Sequence, residues 1–134
     1  MYNMKDVCQE VGMTYEALKF YCNEGLVPGV KRDKNNRRIF SKNDVAWIKS
    51  LTCLKRCGMS IAEMKEYLAL CLQGQPSIPA RKLILERKRQ ELLNAIAGLN
   101  ECVDYIDWKQ GFYDDVLSGK TKYYSNLIVA EGQE

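Results

Sequence analysis

The cysteines are the side chains of this sequence with the most obvious chemical potential. The 134 residues include six cysteines and no histidine. Because histidine is absent, the sequence cannot supply a Ser/His/Asp or Cys/His catalytic arrangement or a histidine general base. It also cannot supply a zinc site that includes histidine. No other nucleophile–base or acid–base pair is evident, so we expect neither an enzyme nor a cofactor. The cysteines are Cys8, Cys22, Cys53, Cys57, Cys71 and Cys102.

The spacing and context of the cysteines favour reduced thiols over disulfides. No Cys-x-x-Cys motif occurs, and the closest pair, Cys53 and Cys57, is separated by four positions. The opening residues lack the basic-then-apolar pattern of an export signal. The longest apolar run, Tyr67 to Leu72, is far too short to span a membrane. We therefore expect a cytoplasmic protein with reduced cysteines and no membrane partner.

A block of basic residues suggests a polyanionic partner. Residues 1–60 hold 11 basic and 6 acidic side chains, a net charge of +5, whereas residues 61–134 hold 9 basic and 11 acidic ones, a net charge of −2. Within the first half, residues 31–42 contain six basic residues and a single acid, Asp33. Such a block suits nucleic acid, although a solvated surface loop is the alternative interpretation. The basic residues are Lys31, Arg32, Lys34, Arg37, Arg38 and Lys42.

Two short helices are predicted before this block. Asn3 can cap the first, which ends at Gly12, and Thr14 can cap the second, which ends before Gly25. Two short helices joined by a tight turn form a helix-turn-helix. The buried positions would be Met4, Val7, Cys8 and Val11 in the first helix and Ala17, Leu18, Tyr21 and Cys22 in the second.

The opposite face of the second helix carries Tyr15, Glu16, Lys19, Phe20 and Asn23. A lysine beside exposed aromatic residues suits contact with phosphates, sugars and bases. An ordinary surface helix would leave the two aromatic residues unexplained. The face therefore predicts a recognition helix.

A small basic hairpin and two further helices are predicted next. Residues 30–32 and 37–40 flank Asp-Lys-Asn-Asn, a tetrad typical of turns. Ser41 with Asp44 forms a capping box that begins the third helix. Ser60 begins a fourth helix in the same way.

A heptad pattern predicts a long helix in the second half. Its apolar positions recur at steps of seven, four and three residues, with charged residues around them. A single helix cannot bury such a seam, so we expect a partner, and a second copy of the chain is the simplest one. The seam consists of Leu85, Leu92, Ile96, Leu99, Val103 and Ile106.

Several motifs, in order, resemble those of the MerR-type transcription regulators. Residues 4–14 resemble the opening helix and turn of that family, and residues 17–28 (Ala-Leu-Lys-Phe-Tyr-Cys-Asn-Glu-Gly-Leu-Val-Pro) resemble its signature. Residues 38–41 match its wing, and residues 57–64 match the Gly-Met-Ser elbow that begins its fourth helix. Residues 106–109 are similar to the end of its dimer helix. The resemblance covers about residues 1–117.

The resemblance implies a mainly α fold in three parts. Residues 1–74 would form a winged helix-turn-helix DNA-binding domain with a small β-hairpin wing. Residues 75–117 would form a long dimerisation helix in an antiparallel coiled coil, and residues 118–134 a carboxy-terminal tail. The implied partners are double-stranded promoter DNA and a second subunit. The homodimer would distort the spacer between promoter elements and so affect RNA polymerase indirectly, through the promoter.

We expect seven DNA-binding residues: six are carried across by position from the resemblance, and Arg32 is added from the basic block. Two positions of the recognition helix depart from the family pattern. Lys19 replaces the usual arginine and offers a point charge in place of a bidentate fork. Glu16 stands where many members carry arginine, so no base contact is assigned to it. The seven residues are Thr14, Tyr15, Lys19, Phe20 and Tyr21 in the recognition helix and Arg32 and Arg38 in the wing.

The third helix resembles that of a subgroup that responds to aldehydes and other thiol-reactive stress. Members of this subgroup have one cysteine in that helix, and here Cys53 is the candidate for redox or electrophile sensing. Cys57 is a secondary candidate that would act as its resolving partner. Lys49 lies one turn before Cys53, and positive charge favours the reactive thiolate form. Alternatively, both cysteines pack against another helix.

Two other functions remain open at this point. A metal-responsive regulator of the same family would use cysteine thiolates, but only Cys102 lies near the end of the dimer helix, and we expect no metal site. A coiled-coil adaptor without specific DNA binding would have a merely solvated basic hairpin. The exposed Tyr15, Lys19 and Phe20 near Arg38 argue against the adaptor.

Overall fold

The computed structural model describes residues 1–128, which are mainly helical, with one small β-hairpin and a long carboxy-terminal helix. This architecture confirms the predicted fold class. A short 3-10 helix, Gln75–Ser77, precedes the long helix. The other elements are α1 (Met4–Val11), α2 (Tyr15–Asn23), β1 (Lys31–Arg32), β2 (Arg38–Ile39), α3 (Lys42–Arg56), α4 (Ile61–Leu72) and α5 (Ile78–Leu117).

The first four helices begin at the predicted caps. The side-chain oxygen of Asn3 accepts a hydrogen bond from the backbone N–H of Asp6 at 2.8 Å, and the carboxylate of Asp6 accepts one from the N–H of Asn3 at 3.1 Å. Thr14 caps α2 through its hydroxyl oxygen. Reciprocal capping boxes also begin α3 at Ser41 and α4 at Ser60. Each box satisfies backbone donors that a helix leaves unpaired at its start.

The hairpin is pinned by its turn. Arg32 pairs with Arg38 in antiparallel register, and the carboxylate of Asp33 accepts hydrogen bonds from within the turn, including one of 3.0 Å from the N–H of Arg37. Asn36 adopts a left-handed backbone conformation with φ of 61°. Asparagine tolerates this conformation better than most residues, which explains the turn-forming tetrad.

The strands are shorter than the predicted runs of residues 30–32 and 37–40. Each strand has two residues, and Phe40 instead forms an isolated bridge with Tyr2. The backbone N–H of each donates to the carbonyl oxygen of the other, at 2.8 and 2.9 Å. This bridge attaches the hairpin to the segment just before α1, and the side chain of Phe40 is fully buried in the core.

One hydrophobic core lies beneath α1 to α4 and the hairpin. The indole N–H of Trp47 donates to the carbonyl oxygen of Leu26 at 2.7 Å and connects α3 to the loop after α2. Of the eight positions predicted to be buried in α1 and α2, three are buried (Val7, Leu18 and Tyr21) and the other five are partly buried. Its buried members are Val7, Leu18, Tyr21, Leu26, Val27, Phe40, Val45, Ile48, Leu51, Met59, Met64 and Leu68.

The start of α5 is attached to the end of α4. The hydroxyl of Ser77 is buried and lies within hydrogen-bond reach of the carbonyl oxygens of Leu70 and Gly74. The guanidinium of Arg81 donates to the same hydroxyl at 2.9 Å. These bonds hold the start of α5 against the end of α4.

The chain divides into two compact units, Met1–Gln90 and a second one from Glu91 onward. Helix α5 contributes to both units. The predicted boundaries at residues 74 and 117 stay a prediction, and residues 129–134 of the predicted tail lie outside the described residues.

In the second unit, the chain after α5 folds back on the last turns of that helix. The N–H of Lys120 donates to the carbonyl oxygen of Asp115 at 2.8 Å. The rings of Trp108 and Phe112 stack at 6.2 Å, and Tyr124 packs against Phe112 with ring centroids 4.9 Å apart. The first part of the predicted tail is therefore ordered by aromatic contacts.

The six seam residues of α5 are all exposed in the single chain, by 38% to 66% of their surface. Such a row of apolar side chains is unfavourable in water unless a partner covers it. Among residues 1–128 no helix combines the length and the apolar character needed to cross a membrane.

Candidate nucleic-acid interface

Helix α2 presents the predicted recognition surface. Tyr15 and Phe20 are 52% and 45% exposed, and Lys19 is exposed between them. On the opposite side, Leu18 is fully buried and anchors α2 to the core. The side chains with binding chemistry therefore face outward from a fixed helix.

A groove joins this helix to the hairpin, and we call it the basic groove. It has a volume of about 410 Å³ and is lined by residues from the start of α1, the start of α2 and both sides of the hairpin. Four of the lining side chains are basic and none is acidic, so the groove favours an anion. The lining residues are Asn3, Met4, Lys5, Tyr15, Arg32, Asn36, Arg37 and Arg38.

The two predicted wing arginines are held in place by the protein. The guanidinium of Arg38 donates to the side-chain oxygen of Asn23 at 2.7 Å and so connects the wing to α2. The guanidinium of Arg32 donates to the carbonyl oxygen of Asn36 at 2.9 Å. Because a guanidinium has five N–H donors, each arginine keeps donors for a phosphate.

Three of the seven predicted DNA-binding residues line the basic groove, and one, Tyr21, is buried. Tyr15, Arg32 and Arg38 line the basic groove. The hydroxyl of Thr14 is already used as the cap of α2. Tyr21 is only 3% exposed, and its burial raises the pKa of its hydroxyl. A DNA contact by Tyr21 would therefore have to coexist with its role in the core.

Two basic residues of the groove were missed by the sequence reasoning as individual contacts. Lys5 lies on the exposed side of α1, and Arg37 lies at the end of the hairpin turn. The basic block did include Arg37, but nothing in the sequence indicated that Lys5 would lie near it. The bridge between Tyr2 and Phe40, which joins the start of α1 to the hairpin, explains this proximity.

The candidate sensing residues lie apart from this groove, in the last turn of α3 and at its C-cap. Cys53 is exposed and Cys57 is partly exposed. The ammonium of Lys49 lies 3.5 Å from the carboxylate of Glu10, so its charge is shared with α1. No cluster of three or more potential ligands for a metal ion occurs within residues 1–128.

The other cysteines are less accessible, with one exception. Cys8, Cys22 and Cys71 are partly buried, whereas Cys102 is exposed on α5. Burial raises the pKa of the Cys8 thiol, and it also raises that of Cys22 against the opposing effect of nearby Arg38. A raised pKa reduces the thiolate fraction and with it the reactivity.

A helix-turn-helix followed by a basic hairpin, with exposed aromatic residues and arginines around one groove, defines a winged helix-turn-helix protein that binds nucleic acid.

Comparison with known proteins identifies the family. The profile described as "MerR HTH family regulatory protein" matches residues 2–71, and the profile described as "MerR, DNA binding" matches residues 45–108. The chain belongs to the MerR family of helix-turn-helix regulators. It is a DNA-binding transcription regulator and not an enzyme.

Individual relatives agree with this assignment. An HTH-type transcriptional regulator of Haemophilus influenzae is 31% identical over 84% of this chain and 83% of its own length. The regulator AdhR of Bacillus subtilis is 35% identical over 68% of this chain and 65% of its own. Among solved structures, HiNmlR, a MerR family regulator lacking the sensor domain and bound to promoter DNA, has a TM-score of 0.72 at 30% identity, over 87% of this chain and 93% of its own.

Proposed function

We propose that this protein binds double-stranded promoter DNA as a homodimer in the cytoplasm and regulates transcription by distorting the promoter spacer. The basic groove carries this proposal, because it joins the recognition helix to the wing with four basic side chains and no acid. The relative HiNmlR, bound to promoter DNA, supports the same role here. RNA polymerase would respond indirectly, to the changed geometry of the promoter.

The contacts divide by chemistry. Arg32 and Arg38 bind backbone phosphates, and Lys5 and Arg37 add to the positive field of the groove. The exposed side chains of α2 approach sugars and bases, and these are Thr14, Tyr15, Lys19 and Phe20, with Tyr21 beneath them. The phosphate contacts set the position of the protein, and the contacts of α2 set its preference for sequence.

Fluorescence anisotropy with a labelled duplex from the protein's own upstream region tests this proposal. We expect a preference for that duplex over random DNA and an affinity that falls steeply with salt. Arg38→Ala should weaken binding at least about tenfold, and it should lower the salt slope by about 1 for each phosphate that the variant no longer neutralises. A lack of preference over random duplex at moderate salt would contradict specific regulation.

Two control variants separate charge from folding. Arg89→Ala removes an exposed arginine of α5 that lies outside the basic groove, and we expect little change in affinity. Asn23→Ala removes the side chain that holds Arg38 but keeps the charge. Its loss of affinity should be smaller than that of Arg38→Ala, with an unchanged salt slope.

We further propose that Cys53 is the residue at which thiol-reactive electrophiles act on this regulator. Its exposure on α3 supports the proposal, since a thiol must be accessible to react. A metal-responsive regulator built from cysteine thiolates is the alternative. The missing cluster of ligands within residues 1–128 favours the electrophile.

Reaction of the reduced protein with limiting N-ethylmaleimide or methylglyoxal, followed by peptide mass spectrometry, tests the role of Cys53. We expect Cys53 to be modified first. Cys102 is the internal control, because it is also exposed. Uniform modification, or modification led by Cys102, would contradict the proposal.

A further inference from the structure

Two thiols lie one helical turn apart at the end of α3: Cys53 is in the last turn of the helix, and Cys57 is its C-cap residue. The backbone N–H of Cys57 donates to the carbonyl oxygen of Cys53 at 3.1 Å, which is the hydrogen bond of residues four apart in an α-helix. Cβ atoms in this relation are about 5–6 Å apart. Both cysteines are free, with Cys53 exposed and Cys57 partly exposed. A small reagent in solution can therefore meet two thiols at once.

The number of thiols decides which reagent they can hold. Structural zinc requires four ligands in a tetrahedron. The chain has no histidine, and residues 1–128 contain no cluster of three potential metal ligands. Arsenic in an organic arsenoxide, R–As=O, requires only two sulfurs, because carbon occupies its third bond. Like other soft acceptors, arsenic prefers thiolate sulfur over oxygen or nitrogen.

We propose that Cys53 and Cys57 form a dithiol site for trivalent organic arsenicals. In the reaction, two S–H bonds and the As=O bond break, two S–As bonds form, and one water molecule leaves. Arsenic stays trivalent and both sulfurs keep their oxidation state, so the step needs no oxidant or reductant. The proposal deepens the electrophile proposal above and rests on the accessibility of the same Cys53, but it also requires Cys57.

Chelation distinguishes this site from a single reactive cysteine. An arsenical held by one S–As bond exchanges readily with an excess of a monothiol. When the second thiol lies one turn away in the same chain, its effective concentration is high, and the bridged product resists this exchange. Cys102 is the only cysteine of α5, so it offers no second thiol on its own helix and serves as the matched control.

The probe is phenylarsine oxide, added to the reduced full-length protein. After treatment with excess 2-mercaptoethanol and desalting, intact-mass spectrometry counts the phenylarsenic groups retained. We expect one group per chain in the wild type and in Cys102→Ser, and none in Cys53→Ser or Cys57→Ser. Dimercaptopropanol, which is itself a dithiol, should remove the group. Circular dichroism checks the folding of each variant, and Cys57→Ala replaces Cys57→Ser if that variant unfolds.

Three results would overturn the proposal: no group retained in the wild type, retention in a variant that lacks Cys53 or Cys57, or an adduct that joins two chains. Labelling with maleimide separates this failure from that of the electrophile proposal. If Cys53 is labelled first but the arsenical is not retained, only the dithiol site is wrong. If Cys53 is not labelled first, the electrophile proposal is wrong.

Discussion

At the residue scale, Gly29 shows how closely two distant segments pack. A Cβ atom at this position would lie 2.2 Å from a carboxylate oxygen of Asp44. The same carboxylate accepts a hydrogen bond from the backbone N–H of Ser41 at 2.8 Å and so completes the capping box of α3. The missing side chain of Gly29 therefore allows the loop after α2 to pass against the start of α3.

We expect Gly29→Ala to destabilise the protein by up to about 2 kcal/mol, because the methyl group must displace the carboxylate of Asp44 and break its bond in the capping box of α3. Urea unfolding measures the change. In an Asp44→Ala background the clash is absent, so the same substitution should cost much less. An equal cost in both backgrounds would show that the clash is not its cause.

At the scale of elements, Lys88 connects α5 to the start of α4. It is only 8% exposed, and its ammonium lies 3.2 Å from the carboxylate of Glu63, which also forms the capping box of α4 with Ser60. The ammonium also lies 3.5 Å from the carbonyl oxygen of Gly58, in the turn between α3 and α4. One buried cation thus connects α5 to α4 and to the turn that precedes α4.

The pKa of Glu63 is lowered, first by the hydrogen bond from the backbone of Ser60 and then by Lys88. A lowered pKa in the folded state contributes stability above the ordinary glutamate pKa of about 4.3. This contribution is lost as the pH falls through the lowered folded-state value.

We therefore expect Glu63→Gln to be less stable than the wild type at pH 7 and the difference to shrink below about pH 4. Urea unfolding from pH 7 to pH 3 measures it. Glu66→Gln, at an exposed position of the same helix, is the control and should show a smaller difference at pH 7. A difference for Glu63→Gln that does not vary with pH would contradict this account.

At the scale of the whole molecule, the exposed seam of α5 bears on assembly. Burial of a leucine side chain contributes about 1.5–3 kcal/mol to stability. A homodimer would bury both copies of each seam residue, so each position would contribute twice. The homodimer would also present two recognition helices to the DNA, as paired half-sites require.

Leu99→Lys should raise the dissociation constant of the dimer at least about a hundredfold, because it places a charge at the seam in both copies. Sedimentation equilibrium measures this constant, and DNA affinity should fall with it. Asn94→Lys adds the same charge at an exposed position outside the seam and should leave the dimer intact. A wild-type protein that sediments as a monomer at micromolar concentration would refute the proposed dimer.

Much of the fold was predictable because its signals are local. The cap at Asn3 and those at Ser41 and Ser60 depend on hydrogen bonds between residues three positions apart, and the hairpin turn depends on the left-handed tolerance of Asn36. The seam of α5 is likewise a matter of helical period. Interactions of this range are determined by the sequence alone, together with the motifs that indicated the family.

Only the tertiary structure decided how distant side chains meet. Arg38 contacts Asn23 across 15 positions, and Lys5 reaches the same groove because Tyr2 pairs with Phe40. The contact between Lys88 and Glu63 is of the same kind. Periodicity shows which face of a helix is buried, but not which neighbour it meets, because that depends on how all the elements pack around one core.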